Sequence, residues 1–239
     1  MRIQGAVALV TGGNRGLGEQ FVAALLSRGA AKVYATARDP ATVHTPEAVP
    51  IELDVTDLRA VRAAAERAPD VTLLVNNAGI AIYGDGVLDG DLANLRRQLD
   101  TNVLGPLQMA RAFAPVLARG GGGAILNVLS RGSWIGNPES AGYYASKAAA
   151  WSITNSLRLA LHGQGTLVTA LHVGVVDTDM AARAEGRPKS DPAAVANLAL
   201  DGVEAGAYEV IADDATRRIK ALLSADPAAI YPSMEFPKE

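Results

Sequence analysis

A cluster of glycines between a short apolar run and a helical pattern constrains this fold more than any other feature. Residues 6–10 read AVALV, residues 11–18 read TGGNRGLG, and a helix is predicted over 17–27. Glycine permits a tight turn and lets backbone N–H groups approach an anion, and the following helix N-terminus adds a partial positive charge. A strand, a glycine loop and a helix in this order predict a dinucleotide-binding unit rather than an ordinary loop.

Short apolar runs alternate with longer helical patterns along the rest of the chain. Strands are predicted at 6–10, 32–36, 50–53, 71–76, 123–130, 166–173 and 208–212, and helices at 17–27, 57–67, 91–118, 142–162 and 192–204. Several runs are apolar at consecutive positions, as in strands covered by helices on both faces. The alternation predicts a single α/β domain, a doubly wound parallel sheet of about seven strands, over residues 1–223, with an irregular tail at 224–239.

Composition and charge argue against several classes of protein. Among 239 residues, 49% are hydrophobic, which is ample for a buried core. A net charge of -3 gives no reason to expect a nucleic-acid partner. The chain has no cysteine, and its three histidines lack ligand spacing, so no metal site is predicted. Without a signal-peptide pattern or a run of roughly 20 apolar residues, we expect a cytoplasmic protein without a membrane partner.

The end of the second predicted strand bears on the choice of cofactor. An NAD site usually has a carboxylate there for the ribose 2′-hydroxyl, whereas an NADP site has a cation for the 2′-phosphate. Ala37 occupies the usual acidic position and Arg38 follows it, while Arg15 in the glycine loop could reach the same phosphate. This placement favours NADP(H). Asp39 leaves NAD open, because an inward carboxylate would bind the ribose instead.

A tyrosine and a lysine four residues apart are the first candidates for chemistry. On a helix, Tyr143 and Lys147 would share one face. A nearby ammonium lowers the pKa of a phenol, which can then exchange a proton near neutral pH. The pattern alone is common in solvent-facing helices, and Tyr144, three residues from Lys147, is a competing tyrosine.

Seven motifs in the right order make residues 3–212 resemble the short-chain dehydrogenase/reductase family. They are TGGNRGLG at 11–18, Asp54-Val55, NNAG at 76–79, NVLG at 102–105, Ser130, YYASK at 143–147, and HVGVVDTDM at 172–180. The glycine loop, together with TARD at 36–39, is most similar to the NADPH-dependent carbonyl reductases of this family.

The resemblance implies a Rossmann fold and a set of site residues. It implies that Tyr143 is the proton donor, that Ser130 orients the substrate oxygen, that Lys147 binds the nicotinamide ribose and lowers the tyrosine pKa, and that Asn102 distorts its helix and holds a relay water. Tyr143 is preferred to Tyr144 because it matches the motif. The implied NADP(H) contacts are Gly12, Asn14, Arg15, Gly16, Leu17, Arg38, Asp54, Val55, Asn77, Ala78, Gly79, Tyr143, Lys147, Gly174, Val176 and Thr178.

The sequence departs from the family pattern in two places. Val173 replaces a proline, so the loop after it is expected to be less rigid. The segment between Met180 and Pro192 is short, which predicts an open cleft for broad or bulky substrates, with Trp134 as a lining residue. Ser133 lies past the strand end and is a weaker candidate than Ser130, and His172 is expected to be structural.

These patterns predict an enzyme that transfers a hydride between NADP(H) and a small ketone, aldehyde or secondary alcohol. An NAD-dependent alcohol dehydrogenase and a non-catalytic dinucleotide-sensing regulator are the alternatives. In the family, the helices corresponding to 91–118 and 142–162 form a dimer interface, so the resemblance also implies a homodimer or homotetramer.

Overall fold

Seven parallel strands form one sheet in the protein, whose computed structural model describes residues 1–182 and 186–231. The strands are β1 (Val7–Thr11), β2 (Lys32–Ala37), β3 (Val49–Glu52), β4 (Leu73–Asn76), β5 (Gly123–Val128), β6 (Thr166–His172) and β7 (Glu209–Ile211). The helices are α1 (Gly16–Ser27), α2 (Leu58–Arg67), α3 (Leu92–Leu99), α4 (Gly105–Arg119), α5 (Ala141–Leu161), α6 (Pro192–Glu204), α7 (Asp214–Ala221) and α8 (Pro227–Ile230). The predicted Rossmann sheet of seven strands is confirmed.

Alternate residues of the central strands supply two separate cores. On β1, Ala8 and Val10 pack into the core that contains Phe21 of α1, whereas Leu9 packs on the opposite face in the core that contains Phe113 of α4. All of these side chains are buried. The absence of polar alternation in AVALV therefore follows from helices on both faces, because neither side of the strand meets water.

The strand order places a ligand crevice beside β1. The order is β3-β2-β1-β4-β5-β6-β7, so the chain passes from one edge of the sheet back to a position next to β1. Ligands of doubly wound sheets bind at this switch point, outside the carboxyl ends of the strands. Here the ends are tied together: Thr11 Oγ1 accepts from the backbone N–H groups of Asn77 and Ala78 at 2.9 and 3.0 Å.

The helix predicted over 91–118 is interrupted at the place where an irregularity was expected. A π-helical turn, Asp100–Leu104, separates α3 from α4. Asn102 in this turn binds the backbone of Ile80, donating to its oxygen and accepting from its nitrogen at 2.9 Å each. The expected irregularity at Asn102 is thus present, and side-chain competition with the helix backbone accounts for it.

The C-terminal part contains two elements that the sequence patterns did not predict. Helix α7 is strongly charged and lacks a long apolar stripe, although Asp213 caps it by accepting from Thr216 N at 2.8 Å. Helix α8 is a single turn within the tail expected to be irregular. Residues 232–239 of that tail, and residues 183–185 of the short segment after Met180, lie outside the described residues.

The described helices include none that is long and apolar enough to cross a membrane. Within residues 1–182 and 186–231, no group of histidine and acidic side chains could hold a metal ion.

Replacing Gly18 with alanine is expected to disrupt the glycine loop. A Cβ at this position would overlap the Gly12 carbonyl oxygen and lie 2.5 Å from Asn77 Nδ2, both of which belong to packed backbone or a bonded amide. We expect Gly18→Ala to lower the free energy of unfolding by about 2 kcal/mol or more, measured by urea denaturation. Gly163→Ala is the control, since nothing lies within 4 Å of its Cβ position. Equal stability of the two variants would contradict this account of Gly18.

Candidate active site

The start of helix α1 has the features of a diphosphate site. Its N-cap, Arg15, makes no capping hydrogen bond with its side chain, which α1 shares with α4 and α5. Gly12 and Gly16 have φ angles of 63° and 56°, a region that glycine adopts without strain. Helix N–H groups without intrahelical partners bind phosphate oxygens. The residues present therefore fit the diphosphate of a dinucleotide.

The turn after β2 binds the carboxylate of Asp39, the group that would bind the ribose of NAD if it pointed inward. Asp39 Oδ1 accepts from Ala41 N at 3.0 Å and caps a short helical turn. Arg38 is exposed, and it contributes to lowering the pKa of Asp54, although the hydrogen bonds from Thr56 have the larger effect. The Arg38 guanidinium thus lies near enough to Asp54 to affect its ionisation, while Asp39 is bonded within its own turn.

Other candidate contacts tie the rim of the crevice together. Asn14 Nδ2 donates to Thr42 Oγ1 at 2.9 Å, and Arg15 Nη1 lies 3.2 Å from Asp179 Oδ2. This ion pair joins the glycine loop to the segment after β6, but both side chains are mostly exposed. Since exposed pairs contribute little, Arg15 can exchange Asp179 for a ligand phosphate at small cost.

The three predicted catalytic side chains meet at the carboxyl end of β5. Lys147 Nζ donates to Val128 O at 2.9 Å and lies 5.8 Å from the centre of the Tyr143 ring. The Ser130 hydroxyl interacts with the Tyr143 side chain and favours its phenolate form. Ser130 Oγ also accepts from Gly132 N at 2.9 Å, which orients the oxygen and leaves its hydrogen to donate. The helical spacing and the strand end thus bring hydroxyl, phenol and ammonium together.

The two competing residues have other contacts. Tyr144 packs on the turn after Ser130, where a Cβ on Gly132 would lie 3.1 Å from its ring. Ser133 Oγ accepts from Ser130 N at 3.5 Å and closes the same turn. The geometry therefore favours Tyr143 over Tyr144 and Ser130 over Ser133.

The protonation states differ from the expected ones. We expected the Lys147 ammonium to lower the pKa of Tyr143, but burial raises the pKa of this phenol and the Ser130 hydroxyl offsets only part of the rise. Burial also lowers the pKa of Lys147 to about 8. Both effects have one cause, since a site of low polarity disfavours the charged form of each group. Tyr143 is therefore a neutral phenol at pH 7, which is the form that donates a proton.

Asn102 links the catalytic helix to the end of β4. Besides its bonds to Ile80, Asn102 Nδ2 donates to Ser146 Oγ at 2.9 Å, and Ser146 Oγ donates to Tyr143 O at 2.7 Å. A cavity of about 10 Å³ lies beside this link and is lined in part by Asn76, Asn102 and Lys147. It is close to the smallest volume that holds one water molecule. The side chain of Asn102 bonds Ile80 and Ser146, so its first role is to hold the π turn against helix α5.

The sequence patterns missed Asp213, which holds the loop after β6. Asp213 Oδ2 accepts from Gly174 N at 2.7 Å, directly after the position where Val173 replaces a proline. Val173 itself is buried, and its carbonyl oxygen accepts from Arg131 N at 2.9 Å. These bonds restrain the loop that carries Gly174, Val176 and Thr178, so the expected loss of rigidity is compensated. The capping pattern of Asp213 with Thr216 was the available signal.

The Trp134 ring is packed against other side chains and is not a free wall of a pocket. Its ring stacks on His172 with centroids 4.0 Å apart, meets Trp151 edge-on at 6.3 Å, and has the Lys220 ammonium 5.6 Å from its centre. These contacts give the ring a packing role, and they do not support the hypothesis that it lines the substrate pocket.

The fold and this site together define a dinucleotide-dependent oxidoreductase. Residues 6–188 match the family model described as short chain dehydrogenase. The chain therefore belongs to the short-chain dehydrogenase family, as the sequence motifs indicated.

Individual relatives support this family assignment. The crystal structure of a short chain dehydrogenase from Burkholderia cenocepacia J2315 in complex with NADP is 39% identical, with a TM-score of 0.92 over 99% of this chain and 100% of that one. Galactitol 2-dehydrogenase (L-tagatose-forming) of Cereibacter sphaeroides is 37% identical, over 79% of this chain and 78% of that protein. Short chain dehydrogenase tazN of Aspergillus terreus is 34% identical over 79% of this chain, which spans only 45% of tazN.

Replacing Lys147 with methionine is expected to stabilise the fold while removing the candidate catalytic ammonium. The pKa of Lys147 falls from 10.5 to about 8 in the folded state. Below pH 8 both states are protonated and the full cost of burying the charge applies; between pH 8 and 10.5 the unfolded state binds more protons, so wild-type stability rises with pH. We expect Lys147→Met to gain about 1–2 kcal/mol at pH 7, measured by urea denaturation, and the gain to vanish toward pH 10.5.

Lys32→Met is the matched control for this measurement. Lys32 is partly exposed and its side chain lies 2.6 Å from Asp70, which raises its pKa. This variant should show no gain at any pH, because the favourable bonds of Lys32 to Asp70 and Tyr34 outweigh its desolvation cost. A pH-independent gain for Lys147→Met, or none at all, would contradict the cost assigned to the buried ammonium.

Proposed function

We propose that the protein is an NADP(H)-dependent carbonyl reductase, which transfers a hydride between NADP(H) and a ketone, an aldehyde or a secondary alcohol. The observation that carries the proposal is the convergence of Ser130, Tyr143 and Lys147 at the carboxyl end of β5. Ser130 follows β5, whereas Tyr143 and Lys147 lie on α5. Lys147 bonds the Val128 carbonyl oxygen at 2.9 Å, and Asn102 bonds Ser146 of the same helix at 2.9 Å. A nucleotide-binding module with no chemistry to perform would have no need of a buried ammonium next to a phenol.

The side chains divide the work of carbonyl reduction. NADPH, when bound, supplies the hydride, and the protein supplies position and protons. Ser130 donates a hydrogen bond to the substrate oxygen and holds it against Tyr143. Tyr143 is neutral and gives its proton to the alkoxide as it forms. Lys147 stabilises the phenolate that remains, since its ammonium lies over the ring.

Lys147 also has a second part in the proposal, which is to bind the nicotinamide ribose. A water in the cavity beside Asn102 would return protons to the lysine from solvent, completing a relay. The proposed cofactor contacts along the crevice are those of the glycine loop, the end of β2, Asp54 and Val55, the segment 77–79 and the loop after β6. They include Asn77, whose amide already bonds Thr11 O and Gly12 O, so that its contribution is to shape the loop.

NADP(H) is favoured over NAD by two features of the β2 end. Arg38 is an exposed cation directly after β2, and the Asp39 carboxylate is held in its turn by Ala41 N. Arg15 of the glycine loop is the second cation proposed for the 2′-phosphate, and it would leave Asp179 to bind it. The relative from Burkholderia cenocepacia was crystallised with NADP. An NAD-dependent alcohol dehydrogenase and a dinucleotide-sensing regulator are the competing functions, and cofactor affinity and turnover distinguish them.

The proposed reaction partner is a small molecule with a carbonyl or secondary alcohol group. The relative named galactitol 2-dehydrogenase (L-tagatose-forming) is in keeping with an alcohol–ketone pair. We also propose a homodimer or homotetramer. An apolar groove between α4 and α5 offers the interface and is lined in part by Leu107, Ala114, Ile153 and Leu157. The proposal places the enzyme in the cytoplasm.

Tyr143→Phe tests the proton donor. Removing the hydroxyl should lower kcat by about two to four orders of magnitude, because the alkoxide loses its acid, while NADPH still binds. The measurement is NADPH oxidation with a panel of ketones, aldehydes and quinones. Tyr144→Phe is the matched control and should keep most of the activity. Full activity in Tyr143→Phe would reject the mechanism, and a wild-type protein that binds NADPH without turnover would favour the sensor.

Arg38→Ala tests the choice of cofactor. Loss of a guanidinium that bonds a phosphate should weaken NADPH binding by about 10-fold or more and leave NADH binding nearly unchanged. Fluorescence titration gives both dissociation constants. Arg59→Ala, an exposed arginine on α2, is the control and should change neither. A wild-type preference for NADH would reject the NADP assignment.

A further inference from the structure

A fully buried histidine lies directly behind Ser130 and has no part in the proposed mechanism so far. His172 is the last residue of β6, and its side chain has no exposed surface. Its Nδ1 lies 3.4 Å from the carbonyl oxygen of Ser130. Buried polar groups have hydrogen-bond partners, and the partner within range of this imidazole belongs to a candidate catalytic residue.

The remaining edges of the His172 ring are also in contact. One face stacks on Trp134 at a centroid distance of 4.0 Å and an angle of 20°. Nε2 lies 3.6 Å from Glu209 Oε1 on β7. Glu209 accepts from Trp151 Nε1 at 3.3 Å and is paired with Lys220 of α7. Elements from three parts of the chain thus hold the ring in one orientation.

The single proton of the neutral ring belongs on Nδ1. Burial lowers the pKa of His172 to about 4, and the nearby cations Lys220, Arg158 and Lys147 add to the effect, so the ring is neutral at pH 7. Nδ1 is within hydrogen-bond distance of an acceptor, whereas Nε2 is not. Glu209 Oε1 also already accepts from Trp151. The Nδ1–H therefore donates to Ser130 O.

The Ser130 carbonyl and hydroxyl cannot move independently. Ser133 N donates to Ser130 O at 3.0 Å, and Gly132 N donates to Ser130 Oγ at 2.9 Å, so one tight turn uses both oxygens. A hydrogen bond from His172 to the Ser130 carbonyl oxygen would fix the first residue of this turn. The Ser130 hydroxyl, which must meet the substrate oxygen within a few tenths of an ångström, would be fixed with it.

We propose that His172 is a positioning residue, which sets the Ser130 hydroxyl for catalysis through a hydrogen bond from Nδ1–H to the Ser130 carbonyl oxygen. The inference rests on the proposed function, since it gives Ser130 a catalytic part. Glu209, Trp134 and Trp151 serve this arrangement by holding the imidazole.

Three substitutions of His172 test the bond. Asparagine places an amide N–H near the Nδ1 position, glutamine reaches instead toward Glu209, and alanine removes both groups. With phenanthrenequinone and NADPH, we expect His172→Ala to lower kcat about 10-fold or more without weakening NADPH binding. His172→Asn should recover most of the loss and His172→Gln should not. His162→Ala, at an exposed histidine, should behave as wild type.

A double-mutant cycle separates positioning from general packing. In a Ser130→Ala background, His172→Ala should cause no further fall in kcat, because the hydroxyl that it positions is absent. Additive losses, wild-type kcat in His172→Ala, or equal activity of the Asn and Gln variants would overturn the inference. If His172→Ala fails to fold, the Asn and Gln variants decide it alone. Full activity of Ser130→Ala would overturn the proposed function itself.

Discussion

The close approach of helix α1 to the end of β1 is the constraint on which the rest of this structure depends. Because Gly18 has no side chain, the helix packs directly on the Gly12 carbonyl, with the Asn77 amide wedged beside it. This contact fixes the distance between the first βα unit and the end of β4. The switch-point crevice, the uncapped helix start and the 76–79 segment all take their places from it. A bulkier residue would widen the crevice before any ligand entered.

The candidate catalytic groups are held by a second set of contacts, made mainly through backbone atoms. Lys147 bonds a strand carbonyl, Ser130 bonds the turn that follows it, and Asn102 joins a π turn to the catalytic helix. Backbone partners move little, so they define positions more sharply than mobile side chains would. Holding the Lys147 ammonium in this position has a cost, since burial disfavours its charged form.

The sequence was sufficient for the sheet, the crevice and the grouping of Ser130, Tyr143 and Lys147 in one place, because local spacing encodes them. Strand, glycine loop and helix occur consecutively, and Tyr143 and Lys147 lie one helical turn apart. The sequence indicated a lowered pKa for Tyr143, whereas burial raises it. Burial depends on segments that are far away in the chain, so local spacing could not report it. The sequence indicated an irregularity at Asn102 but not its bonds to Ile80. The capping pattern of Asp213 with Thr216 likewise indicates a helix start but not the bond from Gly174 N, 39 residues away. Helix α7 was not predicted because its sequence is strongly charged and lacks a long apolar stripe.

The bond between Asp213 and Gly174 has a consequence for biosynthesis. The loop expected to meet the nicotinamide follows β6, yet the carboxylate that steadies it is supplied 39 residues later. The chain therefore supplies the glycine loop and its first six strands before it supplies this carboxylate. The loop after β6 gains the restraint only when the segment beyond β7 folds back onto it.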